Sequence, residues 1–177
     1  YHDLLTGLPN RAAFSAHLTR TVEAASATAK SFAVVSFDLD RFKDINDTFG
    51  HAVGDDVLNA VATRLKLAAQ DQFLTRIGGD GFIMIVPDPI QADLRRRLIA
   101  FQHAVGAALN IAGHTHRIRF SAGVAIFPHH GSSNEIEIVS NADEALRQAK
   151  RDGPESIRFF DTEMERRIRH RGCIQRD

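Results

Sequence analysis

Two apolar runs joined by a turn of almost pure glycine constrain this chain most strongly. The turn at residues 78–81 reads Gly-Gly-Asp-Gly, with the apolar Leu74 and Ile77 before it and apolar residues from Phe82 to Val86 after it. Such flanks are typical of buried strands, and glycine accepts the positive φ that a tight turn needs. The sequence therefore predicts a β-hairpin with the carboxylate of Asp80 at its tip. An Asp-Gly pair is also good turn chemistry by itself, so a function for Asp80 requires a partner elsewhere.

A second apolar run ends in acid. Residues 32–37, Phe-Ala-Val-Val-Ser-Phe, are rich in β-favouring side chains and too continuous for a half-exposed edge, which predicts a central strand. Asp38-Leu39-Asp40 follows directly. Because residues two apart on an extended chain point to the same face, the two carboxylates are expected together at the strand end.

Helical and strand patterns alternate through the rest of the chain. The prediction comprises a helix capped by Asn10, a short helical turn followed by a helix from about Asp55, a helical face from Leu94 to Leu109, a strand over 117–127 with a bulge or close packing at Gly123, a helix over 136–150 broken near Asn141, and a last strand over 157–160. The histidines at 114, 116, 129 and 130 are predicted to lie in solvent-facing loops rather than to bind zinc.

Composition narrows the class of partner. Lysine plus arginine equals aspartate plus glutamate at 22 each, which argues against a nucleic-acid face or a membrane-surface patch. No apolar run approaches the roughly 20 residues of a membrane span. A single cysteine, Cys173, suits a reducing compartment, so we expect a cytoplasmic domain. The first residue is Tyr1 rather than methionine, which suggests that the chain is a piece of a longer protein. A membrane anchor elsewhere in that parent protein is compatible with this sequence.

Further motifs stand at fitting distances around the acidic strand end and the hairpin. They are Asp-Leu-Leu-Thr-Gly-Leu-Pro-Asn-Arg at 3–11, Phe-Lys-x-Ile-Asn-Asp-x-x-Gly-His-x-x-Gly-Asp at 42–55, Ser-Ala-Gly-Val-Ala at 121–125 and Ala-Asp-Glu-Ala-Leu-Arg-Gln-Ala-Lys at 142–150. Together these segments resemble the GGDEF family of diguanylate cyclase domains over about residues 3–160. The resemblance implies an α+β fold with a central, mainly antiparallel sheet of about five strands flanked by helices, similar to nucleotide cyclase and polymerase palm domains.

The resemblance also implies a site and a chemistry. Joining two GTP molecules into cyclic di-GMP needs divalent cations that neutralise phosphate charge. By similarity, Mg²⁺ (or Mn²⁺) would be held by Asp38, the Leu39 carbonyl and Asp80. The guanine of GTP would be read by Asn46 and Asp55, and its phosphates held by the main chain at Arg41 and Phe42 with the side chains of Lys43 and Lys150. Taken singly, Asn46 and Asp55 are also plausible helix caps, and Lys43 plausible solvent charge. Asp40 belongs to the same acidic cluster.

Three positions depart from the family pattern. Gly81 stands where the family has a catalytic glutamate in the hairpin, and glycine offers neither a ligand nor a proton acceptor. Pro154 replaces a phosphate-facing arginine, and Arg147 replaces a tyrosine. The loss of one general base typically costs about 10² to 10⁴ in rate, so an impaired active site is expected.

Product inhibition is also not expected. The family's inhibitory Arg-x-x-Asp precedes the hairpin, and the corresponding residues here are Ala69-Gln70-Asp71-Gln72. Asp71 lies one position out of register, and no arginine stands three residues before it.

The end of the chain changes in composition. Residues 162–177 are highly charged and resemble the linker that leads from GGDEF into EAL phosphodiesterase domains. We therefore expect a GGDEF domain at 1–161, a helical linker at 162–177 and a downstream EAL domain in the parent.

Three functions remain open at this point. The favoured one is a catalytically impaired module that binds GTP and magnesium and regulates a linked phosphodiesterase. The second is a working diguanylate cyclase that tolerates Gly81 and acts as a homodimer, since each domain holds one GTP. The third is an interaction domain without nucleotide, against which the retained Asn46 and Asp55 argue.

Overall fold

A computed structural model describes residues 1–128 and 134–160 of the chain. The predicted linker at 162–177, Cys173, His129 and His130 lie outside the described residues. The helices are α1 (Arg11–Thr28), α2 (Phe42–Phe49), α3 (His51–Ala69), α4 (Gln91–Val105) and α5 (Glu135–Asp152). The strands are β1 (Phe32–Leu39), β2 (Phe73–Gly78), β3 (Gly81–Pro87), β4 (Leu109–Ile111), β5 (His114–His116), β6 (Phe120–Phe127) and β7 (Ile157–Phe159). None of the described helices combines the length and apolar character needed to cross a bilayer.

A five-stranded sheet with the order β2-β3-β1-β6-β7 forms the centre of the fold. Its β1 pairs antiparallel with β3 and β6, and β2 pairs antiparallel with β3. Among the strands of this sheet that the structure describes, only the pair of β6 with β7 is parallel. The prediction of an α+β fold with a central, mainly antiparallel five-stranded sheet is therefore confirmed. A separate hairpin of β4 and β5, which the sequence patterns did not indicate, lies outside this sheet.

Both faces of β1 are covered, which explains its continuous apolar sequence. Ala33, Val35 and Phe37 belong to one core cluster, which includes residues of α3 and α4, and Phe32 and Val34 belong to a second, which includes residues of α1 and α5. The ring of Phe37 lies 5.6 Å from that of Phe82 and 5.0 Å from that of Phe120, measured between centroids. The predicted central strand thus holds the two cores together.

Three predicted helix boundaries were wrong. The second long helix, α3, begins at His51 rather than near Asp55, because Gly50 with φ of 90° ends α2 and lets the next helix start at once. The helix α4 ends at Val105, so Leu109 belongs to β4 instead of the helical face. The last helix, α5, is continuous through Asn141, because Ile138 before it and Ala142 and Ala145 after it are fully buried.

Two further predictions concern the segment before β6. The strand begins at Phe120 rather than Arg117, so residues 117–119 precede it. His116 is buried, with 6% of its surface exposed, and its ring meets that of Phe49 edge-on at 4.9 Å. The prediction that this histidine faces solvent was wrong, because the unpredicted β4–β5 hairpin packs its imidazole against α2.

Close packing, not a bulge, explains the glycine in β6. The register between β1 and β6 runs without interruption from Phe32 opposite Phe127 to Leu39 opposite Phe120. A Cβ atom at Gly123 would lie 2.1 Å from the Leu146 nitrogen and 2.4 Å from the Ala142 oxygen. The backbone of α5 therefore lies directly on Gly123, and this contact positions Lys150 at the end of the same helix.

We expect Gly123→Ala to destabilise the domain by about 3 kcal/mol or more, because the new methyl group meets backbone atoms that cannot move aside. Urea unfolding measures the change. Gly81→Ala is the matched control, since a Cβ there meets only the Gly78 oxygen, at 3.6 Å. Equal stability of the two variants would contradict the packing described for α5.

Candidate functional site

The pairing of β1 with β3 brings the two predicted metal-binding acids together. Asp38 lies opposite Gly81 in the register, so the hairpin tip reaches the end of the central strand. The main-chain nitrogen of Leu39 donates to the main-chain oxygen of Asp80 at 3.3 Å. Gly78 and Gly79 have φ of 120° and 54°, as the sequence predicted for the turn. Asp38, the main chain of Leu39 and Asp80 therefore share one end of the sheet.

An arginine that the sequence analysis left without a role fixes the hairpin. The Arg76 guanidinium donates to the Gly79 oxygen at 2.8 Å and to the Asp3 carboxylate at 2.8 Å. Asp3 also accepts bonds from the nitrogen and hydroxyl of Thr6. With only 12% and 17% of their side chains exposed, Arg76 and Asp3 form a well-shielded ion pair. The sequence carried one indication of this contact: Asp3 opens the motif at residues 3–11, and Arg76 lies just before the glycine hairpin.

Lys150 bridges the acidic strand end. Its Nζ lies 3.6 Å from Asp38 Oδ2 and 3.6 Å from Asp40 Oδ1. Asp40 also accepts bonds from the Ser121 hydroxyl at 3.0 Å and from the main-chain nitrogen of Glu155 at 2.9 Å. The carboxylate of Asp40 is thus occupied by protein partners, which makes it a structural brace more than a free ligand.

Asp38 is the less satisfied of the two strand-end acids. Its Oδ1 is buried and has no hydrogen-bond partner among the described residues. The pKa of Asp38 is raised to about 6, chiefly by burial and also by the neighbouring charges of Asp80 and Asp40, against the lowering effect of Lys150. A buried carboxylate oxygen without a partner is costly, and a divalent cation would remove that cost. The residues present therefore fit Mg²⁺ or Mn²⁺, which prefer oxygen ligands.

No cluster of three or more histidine, cysteine, aspartate or glutamate side chains suited to a metal occurs within residues 1–128 and 134–160. The predicted ligand set does not need one, because it combines two carboxylates with the Leu39 carbonyl. Mg²⁺ commonly completes its coordination with water and substrate phosphates.

The two predicted guanine-reading residues lie on neighbouring helices. Asn46 is on α2 and Asp55 is exposed in the second turn of α3. A Cβ atom at Gly54 would lie 1.8 Å from Asn46 Oδ1, so the absence of a side chain there creates the space that the amide occupies. Because Asp55 lies well inside α3, its interpretation as a helix cap is excluded, and its carboxylate is available to a ligand.

The predicted phosphate-holding residues surround the start of α2. Arg41 takes a left-handed conformation with φ of 59° immediately before the helix. Phe42 is buried, whereas Lys43 is exposed. The turn at Arg41 thus joins the acidic strand end directly to the N-terminus of α2.

The structure also shows where the positions that depart from the family pattern lie. Gly81 faces a cleft of about 1070 Å³ that Asp38 and Arg147 also line. Arg147 forms an ion pair with Glu144 one turn earlier on α5. Asp71, in the segment that corresponds to the inhibitory motif, is exposed in the turn after α3.

Comparison with known proteins agrees with this arrangement. The family described as "Diguanylate cyclase, GGDEF domain" matches residues 1–156. An "Uncharacterized signaling protein" of Caulobacter vibrioides is 37% identical over 99% of the chain, and MucR of Pseudomonas aeruginosa, named a bifunctional diguanylate cyclase/cyclic di-GMP phosphodiesterase, is 35% identical over 92% of it. The chain spans only 22% and 24% of these two proteins. The solved GGDEF domain of TpbB (YfiN) from P. aeruginosa is 33% identical with a TM-score of 0.88, covering 96% of this chain and 99% of that one.

Fold and site define an α+β domain that gathers acidic side chains where a central strand meets a glycine hairpin. With the match over residues 1–156, the chain belongs to the GGDEF family of diguanylate cyclase domains and thus to cyclic di-GMP signalling.

The raised pKa of Asp38 predicts a pH-dependent cost to the metal-free fold. Its folded-state pKa of about 6 lies above the ordinary value of 3.8 for an exposed aspartate, so the stability it contributes is complete below about pH 4 and is lost as the pH rises through about 6. Asp38→Asn should therefore raise the free energy of unfolding at pH 7.5 by about 1 to 2 kcal/mol.

Urea unfolding with a chelator present at pH 5 and pH 7.5 tests this expectation. The gain from Asp38→Asn should shrink at pH 5, and Asp44→Asn, a change of an exposed acid on α2, should show no such trend. A loss of stability in Asp38→Asn at pH 7.5 would contradict the description of a strained carboxylate.

Proposed function

We propose that this GGDEF domain binds GTP with Mg²⁺ (or Mn²⁺), turns it over poorly or not at all, and regulates a linked EAL phosphodiesterase domain. The observation that carries the proposal is the pairing of a buried, unpartnered Asp38 Oδ1 with a hairpin that presents Asp80 but has Gly81 beside it. The acid pair suits binding, and the missing side chain removes a catalytic group.

Asp38, the Leu39 carbonyl and Asp80 would hold the cation, which when bound neutralises phosphate charge and makes a ribose hydroxyl easier to deprotonate. The main chain at Arg41 and Phe42 would hold the phosphates together with Lys43 and Lys150. Lys150 already lies within 3.6 Å of Asp38, so its ammonium group stands where a phosphate next to the cation would need it.

Recognition of guanine is assigned to Asn46 and Asp55. An ionised carboxylate only accepts hydrogen bonds, and an amide both donates and accepts. Guanine offers N–H donors and a carbonyl acceptor on one edge, so this pair of side chains can satisfy it. The position of Asn46 against Gly54 supports the assignment, because the Asn46 amide occupies the space that the missing Cβ atom of Gly54 leaves open.

Impaired turnover follows from Gly81. Without the family's glutamate, no side chain at this position can take the proton of the attacking hydroxyl, a loss of about 10² to 10⁴ in rate. Cyclisation would also need two domains face to face, each with one GTP. A domain that binds GTP without converting it is suited to sensing GTP for a neighbouring domain. The name of the relative MucR, which includes a phosphodiesterase activity, supports a phosphodiesterase domain as that neighbour.

The domain should bind GTP with Mg²⁺ in titration calorimetry, and Gly54→Ala should weaken this binding about 10-fold or more. The new Cβ would collide with Asn46 Oδ1 and displace the amide. Thr63→Ala, further along α3, is the control, because the exposed Thr63 hydroxyl donates to the Asn59 oxygen in the preceding turn of its own helix. Failure of the unmodified domain to bind GTP at millimolar concentration would overturn the proposed function.

Replacing the missing glutamate should restore chemistry. A Cβ at Gly81 meets only the Gly78 oxygen, at 3.6 Å, so Gly81→Glu is expected to fold normally. Overnight incubation with GTP and Mg²⁺ should yield cyclic di-GMP by chromatography from Gly81→Glu, at a rate at least about 10² above that of the unmodified domain. Accumulation of cyclic di-GMP by the unmodified domain would contradict the claim of impaired turnover.

A further inference from the structure

A second depression, of about 580 Å³, lies between the loop after β1, the helix α2 and the segment that leads from β5 into β6. Its lining includes three arginines, Arg41, Arg117 and Arg119, and also Pro154. This volume is within the roughly 300 to 1,000 Å³ typical of ligand pockets. We call it the arginine pocket.

The local backbone explains why two of the arginines point the same way. Burial alternates along the segment, with His116, Ile118 and Phe120 buried while Arg117 and Arg119 are exposed. Side chains two apart on an extended chain lie on one side. The main-chain oxygen of Arg119 accepts a bond from the Asp40 nitrogen at 2.7 Å, which fixes the segment against the acidic strand end.

The three guanidinium groups have no partner among the described residues. Within the part of the chain that the structure describes, Arg41, Arg117 and Arg119 make no ion pair and no side-chain hydrogen bond, whereas Arg76 and Arg158 are paired with acids. Asp40 and Asp44 also line the arginine pocket. Asp40 is already neutralised by Lys150 and bonded to Ser121, so the pocket keeps an excess of positive charge.

The arginine pocket lies next to the turn that is proposed to hold phosphates. Arg41 borders the arginine pocket and also forms the turn whose main chain is proposed to hold phosphates. Pro154 stands in the pocket wall at the position where the family resemblance implies a phosphate-facing arginine. Guanidinium groups bind phosphate oxygens in a paired, fork-like geometry.

We propose that Arg117 and Arg119, with the side chain of Arg41, hold the terminal phosphates of the bound nucleoside triphosphate and replace the arginine that Pro154 removes. The inference rests on the proposed binding of GTP at the neighbouring acidic site. The inference predicts that guanine and the terminal phosphates are recognised by different groups of residues. The acidic site and Asn46 recognise any guanine nucleotide, and the arginine pocket favours triphosphate over monophosphate.

The test compares GTP and GMP, each with Mg²⁺, by titration calorimetry on Arg117→Ser/Arg119→Ser. We expect GTP to bind at least about 10-fold more weakly than to the unmodified domain, because charge-assisted contacts to phosphate are lost. GMP affinity should change less than about twofold, since GMP lacks the terminal phosphates. Arg97→Ser, an exposed arginine on α4 outside the arginine pocket, is the matched control and should leave both affinities unchanged.

A third variant tests whether the arginines do the work of the missing residue. Adding Pro154→Arg to the double serine variant should restore most of the lost GTP affinity. Thermal melts of all variants check that each is folded.

The outcomes separate this inference from the proposed function. If the unmodified domain binds GTP and the double serine variant binds it equally well, the inference is overturned and the proposed function stands. If the double variant loses affinity for GTP and GMP alike, a role at the terminal phosphates is also wrong. If the unmodified domain binds no GTP at all, the proposed function fails, and the inference fails with it.

Discussion

The register between β1 and β3 is the constraint on which the site depends. It sets Asp38 opposite Gly81 and thereby brings the tip of a glycine hairpin to the end of a strand that is buried on both faces. A slip of one residue would turn Asp38 to the other face of the sheet. The rings of Phe37, Phe82 and Phe120 pack against one another across three strands and fix this register, and the Arg76 bond to Gly79 holds the turn itself.

The same arrangement places an electrostatic cost in the centre of the domain. Asp38 has a raised pKa and a buried oxygen that finds no hydrogen-bond partner in the described part of the chain, and Lys150 relieves only part of this strain. Stability that is given up at one position and recovered elsewhere is common at binding sites. Here the two cores around β1 supply that stability, so the acid pair can stay poised for a cation. Gly81 disturbs none of these contacts, so the proposed loss of turnover is compatible with the proposed retention of binding.

Much of this could be predicted from the sequence. The central strand and the hairpin followed from apolar patterning and turn chemistry, because such signals are local. The approach of Asp38 to Asp80 was implied by the family resemblance. The β4–β5 hairpin was missed, since three-residue strands carry little periodicity and His114 to His116 are atypical strand residues. The early start of α3 depended on one glycine conformation at Gly50. The arginine pocket could not be predicted from motif spacing in the sequence, because Arg41 and Arg117 are distant along the chain and the fold brings them together with Pro154.

The central claim is that Asp38 and Asp80 jointly bind a cation with GTP that the domain does not consume. Crystals grown with GTP and Mn²⁺ test it most directly, because the anomalous signal of manganese locates the ion independently of any prior assignment. We predict an anomalous peak between the carboxylates of Asp38 and Asp80, with intact GTP beside it and its base against Asn46 and Asp55. Manganese elsewhere, no nucleotide at the strand end, or cyclic di-GMP in place of GTP would contradict the account.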